Sequence, residues 1–132
     1  MTRPIPIRLA GATLIAAIAT ATQAATPADL QAAYTALAAT PAVPDRGQQL
    51  FTSRHGHEWS CSSCHGAVPT QAGKHASTGK PIAPLAPAFN PERFVDAAKT
   101  EKWLRRNCND VMGRECSPAE KADVISWLRA LK

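Results

Sequence analysis

The 132-residue chain lacks most of what would mark a membrane protein, a nucleic-acid binder or a β-structure. Its one extended uncharged apolar stretch, "LAGATLIAAIATA", is too short and too rich in Ala and Thr for a confident membrane-spanning helix. Aromatic residues make up 5% of the chain and the formal net charge is only +5, which gives no case for nucleic acid. There is no internal repeat and no convincing alternation of apolar and polar residues, so strands are not expected. No Cys follows the apolar stretch, which argues against a lipid-modified N-terminus, and the adjacent-arginine signature of folded export is absent.

What remains at the N-terminus is a secretory pattern. Arg3 and Arg8 precede the apolar stretch, and "TQA" ending at Ala24 offers small residues for cleavage. Residues 1–24 therefore read as a Sec-type signal peptide and residues 25–132 as one exported, periplasmic domain. Without Arg3 and Arg8 the net charge falls to +3, a mild excess that suits an acidic protein partner. A domain this small buries a limited fraction of its surface and often needs a staple.

The fold class expected is all-α. "TPADLQAAYTALA" has Thr26 as N-cap, Pro27 at the first helical position and Leu30, Tyr34 and Leu37 on one face. "DRGQQLF" begins a short second helix. "TEKWLRRNCNDVMG" makes a third from about Thr100, closed by Gly113, and "NPERFVDAA" before it suggests another short one. In the last helix, Ser117 to Glu120 form a capping box, and Val124, Trp127, Leu128 and Leu131 follow at helical spacing. Residues 66–90 form a long irregular stretch whose Ile82, Leu85 and Phe89 argue for packing rather than a disordered linker.

The chemistry centres on "CSSCHG", residues 61–66. A thiol oxidoreductase would need a βαβ context, and none is visible. Zinc would need a second closely spaced pair, whereas Cys108 and Cys116 are eight apart. A bridge between Cys61 and Cys64 would close a strained ring. Covalent haem accounts for every residue: Cys61 and Cys64 each add to a vinyl group, and His65 ligates the iron from the proximal side. The two thioethers also supply the staple. In an oxidising compartment, Cys108 and Cys116 should form a disulfide.

Function then depends on the distal side of the iron. Met112, the only methionine after the signal, could serve as a thioether ligand, but its place near a helix end equally suits packing. His55, His57 and His75 lie in polar loops and read as solvent-exposed. Composition and spacing leave the choice open between Met112, a histidine and something weaker.

"EKWLRRNCNDVMGRECSPAEKADVISWLRAL", together with "CSSCHG" and "GKPIAPLAP", resembles the sphaeroides haem protein family of small exported monohaem c-type cytochromes with a class I cytochrome c core. The similarity runs over about residues 26–132, and the "RNC" triplet with a second Cys eight residues on is specific. The resemblance implies a small helical domain wrapped around one covalently attached haem c. It implies Asn107 as the sixth ligand in the ferric state, departing on reduction so that oxygen, nitric oxide or carbon monoxide can bind. It also implies a Cys108–Cys116 disulfide beside that ligand, and a di-haem cytochrome c and a membrane cytochrome b as redox partners of a monomer. An amide oxygen is a hard, weak donor that suits ferric better than ferrous iron. Met112 lies about 140° around a regular helix from Asn107, so the two cannot face one iron. "GQQLF" further resembles the first helix of class I cytochromes c, where residues like Gly47 and Phe51 pack across the last helix, here near Trp127 and Leu128.

The expected function is an electron-transferring, gas-binding haem protein rather than an enzyme. The alternatives are a plain electron carrier with His65/Met112 ligation, or a haem enzyme consuming nitric oxide or peroxide. The latter would want a distal acid–base group, and Arg105 and Arg106 read instead as partners of haem propionates or solvent.

Overall fold

The computed structural model describes residues 24–132; the expected signal peptide lies, but for Ala24, outside the described residues. Helix α1 (Pro27–Ala38) starts as its sequence dictates. The Thr26 hydroxyl accepts from the Asp29 N–H (3.1 Å), and the Asp29 carboxylate accepts from the Thr26 N–H (2.9 Å), so two orphan donors are satisfied. Leu30 and Tyr34 are buried as expected, whereas Leu37 is 72% exposed. Seven residues along a helix is about 10 Å, and the covered face of α1 ends before that last turn.

Helix α5 (Pro118–Ala130) is the central element, entered through the reciprocal Ser117–Glu120 cap. Lys121 to Ile125, Trp127 and Leu128 are all buried, because α1 and α2 (Pro44–Thr52) both pack on it. The α2–α5 crossing depends on Gly47. A Cβ there would lie 2.1 Å from the Asp123 carbonyl oxygen, so no larger residue fits without moving a helix. One turn further on, Phe51 meets Trp127 with ring centroids 5.0 Å apart, the packing expected of "GQQLF". Val43, at the N-cap of α2, has no capping side chain of its own. Buried Asp123 supplies the cap from α5, accepting from the Val43 N–H (2.6 Å) and from Arg46 Nε (2.8 Å).

The short helix α3 (Cys61–His65) leads into the irregular stretch. There β1 (Gly73–Lys74) and β2 (Pro81–Ile82) form a two-residue antiparallel ladder, with Gly73 opposite Ile82. This is the only strand pairing among the described residues, against an expectation of none. The stretch is packed: Pro69 and Ala86 are buried, and the Pro69 carbonyl accepts from both Leu85 and Ala86 N–H groups (3.1 Å each). Phe89, expected to help in that packing, is 46% exposed.

Helix α4 (Ala97–Met112) begins three residues earlier than expected, because Asp96 caps it by accepting from the Lys99 N–H (2.8 Å). The separate helix expected in "NPERFVDAA" is not formed; residues 91–94 are turns, with Phe94 at φ +61°, and the two alanines belong to α4. Gly113 ends α4 in the left-handed conformation, as expected. Among the described residues no helix is long and apolar enough to cross a membrane.

Candidate haem site

Between α3, the β1–β2 stretch, α4 and α5 lies a mostly apolar cavity of about 560 Å³. Cys61, Cys64 and His65 line it from α3, and Asn107 lines it from α4. The expected site residues from two distant segments are thus brought to one cavity, with Cys108 and Cys116 at its wall.

The geometry around α3 is locally specified. The Ser60 N–H donates to Ser63 Oγ (3.0 Å), holding the first turn, so Cys61 and Cys64 fall one turn apart with His65 next. Gly73 lets β1 close on this turn: a Cβ there would sit 2.1 Å from the Cys64 carbonyl oxygen and 2.9 Å from His65 Cα. His65 also packs against Phe51, with centroids 6.1 Å apart, so the turn is seated on the α2–α5 core.

The burial of these groups bears on the readings of "CSSCH". Burial pushes the Cys61 thiol up to about 11, the opposite of an activated redox dithiol. Burial, helped by the Arg93 charge, pushes His65 down to about 4, so its imidazole is neutral and has a lone pair for a metal. Among the described residues, no group of three or more metal-binding side chains forms a zinc-type cluster. Two free thiols and a neutral imidazole, lining an apolar cavity of cofactor size, fit a covalently held haem with His65 beneath the iron.

On α4, Asn107 is half-buried at the cavity, and its carboxamide makes no hydrogen bond among the described residues. The next residue, Cys108, is joined to Cys116 with sulfurs 2.00 Å and Cα atoms 5.6 Å apart, tying α4 to the start of α5. Met112 does not line the cavity; its sulfur lies 3.6 Å from Cys116 Sγ, a packing contact, since a disulfide sulfur has no proton to donate.

His75 departs from expectation. It is half-buried and lines the cavity, with Nδ1 accepting from the Thr78 N–H (3.3 Å) in the hairpin turn. A polar loop suggested exposure, but the Gly73–Ile82 pairing folds that loop back over the site. His55 and His57 are exposed as expected. Of the two arginines on α4, Arg106 lines the cavity and Arg105 does not. Sequence reasoning passed over Arg93, which lines the cavity and donates to the Pro84 carbonyl from Nε and the Ala83 carbonyl from Nη2 (2.9 Å each). Nothing in "NPERF" marks it, because its partners are backbone carbonyls nine and ten residues earlier. Lys121 was also missed. It is buried and donates to both Glu101 oxygens (2.7 and 2.9 Å), and Glu101 also accepts from the Tyr34 hydroxyl (2.7 Å), which holds its carboxyl below the usual range.

Among the described residues, five helices, a minimal strand pair and a CxxCH turn opening on an apolar cavity define a c-type cytochrome with one covalently attached haem c. The family model described as a domain of unknown function (DUF1924) matches residues 37–128. The Cytochrome c-type protein SHP of Cereibacter sphaeroides is 53% identical over 108 residues, covering 79% of this chain and 83% of the relative. The chain belongs to this SHP family. The solved structure of oxidised SHP, described as an oxygen-binding cytochrome c, is 52% identical and superposes with a TM-score of 0.76, covering 81% of this chain and 98% of that one. The solution structure of cytochrome c'' from Methylophilus methylotrophus, described in connection with haem-ligand detachment, is 37% identical at a TM-score of 0.66, covering 79% and 92%. These relatives are named as cytochromes, not as enzymes.

Proposed function

We propose that this cytochrome is a periplasmic electron-transfer protein that also binds diatomic gases when reduced, with Asn107 as its removable distal ligand. The observation that carries this reading is the composition of the α4 wall: Asn107 lines the cavity, whereas Met112, the only thioether after the signal, does not. Held there, the haem supplies an iron that exchanges one electron and accepts a small ligand wherever its distal side is open.

The protein's part is to present donors of unequal strength. His65, neutral and seated on Phe51, is a borderline-soft donor that would suit the iron in either oxidation state. The Asn107 amide oxygen is hard and neutral and favours the ferric state. No protein hydrogen bond among the described residues holds the amide, so Asn107 would be free to serve as a ligand and to leave without breaking a protein contact. The Cys108–Cys116 bridge limits how far the helix can follow. The oxygen-binding relative and the ligand-detaching one lend this reading support.

Residues 1–24 act as the cleaved signal in this reading and residues 25–132 as the working domain. A di-haem cytochrome c and a membrane cytochrome b are its redox partners, oxygen, nitric oxide or carbon monoxide its ligands, and a monomer its working form. The test is the pair of oxidised and reduced absorption spectra of the isolated holoprotein. The ferrous form is expected to be high-spin and to take up carbon monoxide promptly. A ferrous form that stays low-spin and ignores carbon monoxide would indicate a plain electron carrier.

A further inference from the structure

The modest net charge of the chain conceals an uneven distribution. Setting Arg3 and Arg8 aside leaves 13 basic and 10 acidic side chains, an excess of three. Residues 99–106 contain four of those bases, Lys99, Lys102, Arg105 and Arg106, and a single acid, Glu101. The remaining residues balance at nine of each, so the whole excess sits on two turns of α4.

The burial pattern separates the charges further. Glu101 is engaged by buried Lys121 and by Tyr34 on the inner side, while all four cations are exposed. Among the described residues Lys99, Lys102 and Arg105 form no ion pair, and Arg106 reaches Asp110 only at 3.9 Å on the open surface. Spaced three residues apart, Lys99, Lys102 and Arg105 run as a row along the helix. Beside the row Trp103 is 44% exposed, with the Arg106 guanidinium 5.5 Å from its ring centroid.

The location gives the patch a purpose. Lys99 and Arg106 also line the haem cavity while Lys102 and Arg105 do not, so the basic row borders the cofactor site and a partner seated on it sits next to the cavity. We propose that the exposed basic face of α4, made by Lys99, Lys102, Arg105 and Arg106, is the docking surface for an acidic electron-transfer protein. This rests on the electron-transfer reading above and adds the surface and the charge of the partner. Complementary charge steers such an encounter and orients it with α4 toward the donor.

Flavodoxin hydroquinone, an acidic electron-transfer protein, serves as the probe in stopped-flow reduction of the ferric holoprotein. The rate is expected to fall ~10-fold between low ionic strength and ~0.5 M salt. The triple variant Lys99→Glu/Lys102→Glu/Arg105→Glu should be ~10-fold slower at low salt, whereas Arg54→Glu/Lys80→Glu/Lys132→Glu, with the same charge change on other exposed sites, should lose less than ~threefold. Carbodiimide coupling should join Lys99 or Lys102 to flavodoxin carboxylates. Equal slowing by the two triple variants, or coupling only elsewhere, overturns the proposal. So does binding to phosphatidylglycerol vesicles that the α4 triple abolishes while its flavodoxin rate is unchanged, which assigns the patch to a membrane surface. A haem that dithionite reduces but flavodoxin does not also sinks the docking surface while sparing the electron-transfer reading; a haem that no reductant reduces removes that reading itself.

Discussion

Helices α4 and α5 are consecutive in the chain and comparable in length, 16 and 13 residues, yet they are held in opposite ways. α5 is buried on nearly every side, locked by a glycine crossing, the Phe51–Trp127 contact and the Asp123 cap of its neighbour. α4 buries only Thr100, Cys108 and Val111. Its polar and covalent ties to α5 are discrete: a disulfide at Cys108 and an ion pair at Glu101. One helix is the scaffold against which the CxxCH turn is seated. The other is a cavity wall fastened at points, which suits the proposed role of presenting a ligand and letting it go.

If that contrast is right, damage to α5 should cost stability, and damage to the fasteners of α4 should alter ligation. Gly47→Ala should have the largest effect, about 3 kcal/mol or more off the unfolding free energy in urea, because the added Cβ meets backbone that cannot yield cheaply. Cys108→Ser/Cys116→Ser should cost about 2–3 kcal/mol from the opened nine-residue ring. Unlike Gly47→Ala, it should also speed carbon monoxide uptake by the ferrous holoprotein; unchanged uptake would make the bridge a structural clip only. Lys121→Met should cost about 1–2 kcal/mol by urea unfolding and loosen the same wall, because Glu101 is near enough to water to rehydrate when its partner goes.

The smallest effect concerns the start of α5. Arg114, first, and then the Ser117 backbone N–H hold Glu120 at about 2 against its ordinary 4.5. A lowered folded-state value stabilises above pH 4.5, and the gain fades as pH falls toward 2. The pair is partly exposed, so the gain is ~1 kcal/mol after allowance for screening by solvent. Arg114→Met should flatten the loss of urea stability between pH 5 and pH 3 (~1 kcal/mol in the parent).

The same contrast explains what could be read from residues alone. α5 carries local signals, a capping box and helical apolar spacing, and these were legible; the Gly47–Phe51 crossing was expected only from the resemblance of "GQQLF" to the first helix of class I cytochromes c. The CxxCH turn was legible because its chemistry is consecutive in sequence. What was hidden depends on distant partners. Arg93 and Lys121 are explained only by groups on other segments, His75 by a two-residue strand pair, and the exposure of Leu37 and Phe89 by where neighbouring elements stop. Asp96 was overlooked as a cap because "FVDAA" carries no apolar period to announce a helix.

The most direct test of the account is to compare ferric absorption spectra and ferrous carbon monoxide uptake in Asn107→Val and Met112→Leu holoproteins. The account predicts that Asn107→Val removes the distal ligand and changes the ferric spectrum, while Met112→Leu leaves the spectrum and the uptake as in the parent. A shifted spectrum in Met112→Leu with an unchanged one in Asn107→Val would contradict it, and would make this a cytochrome with an ordinary thioether ligand.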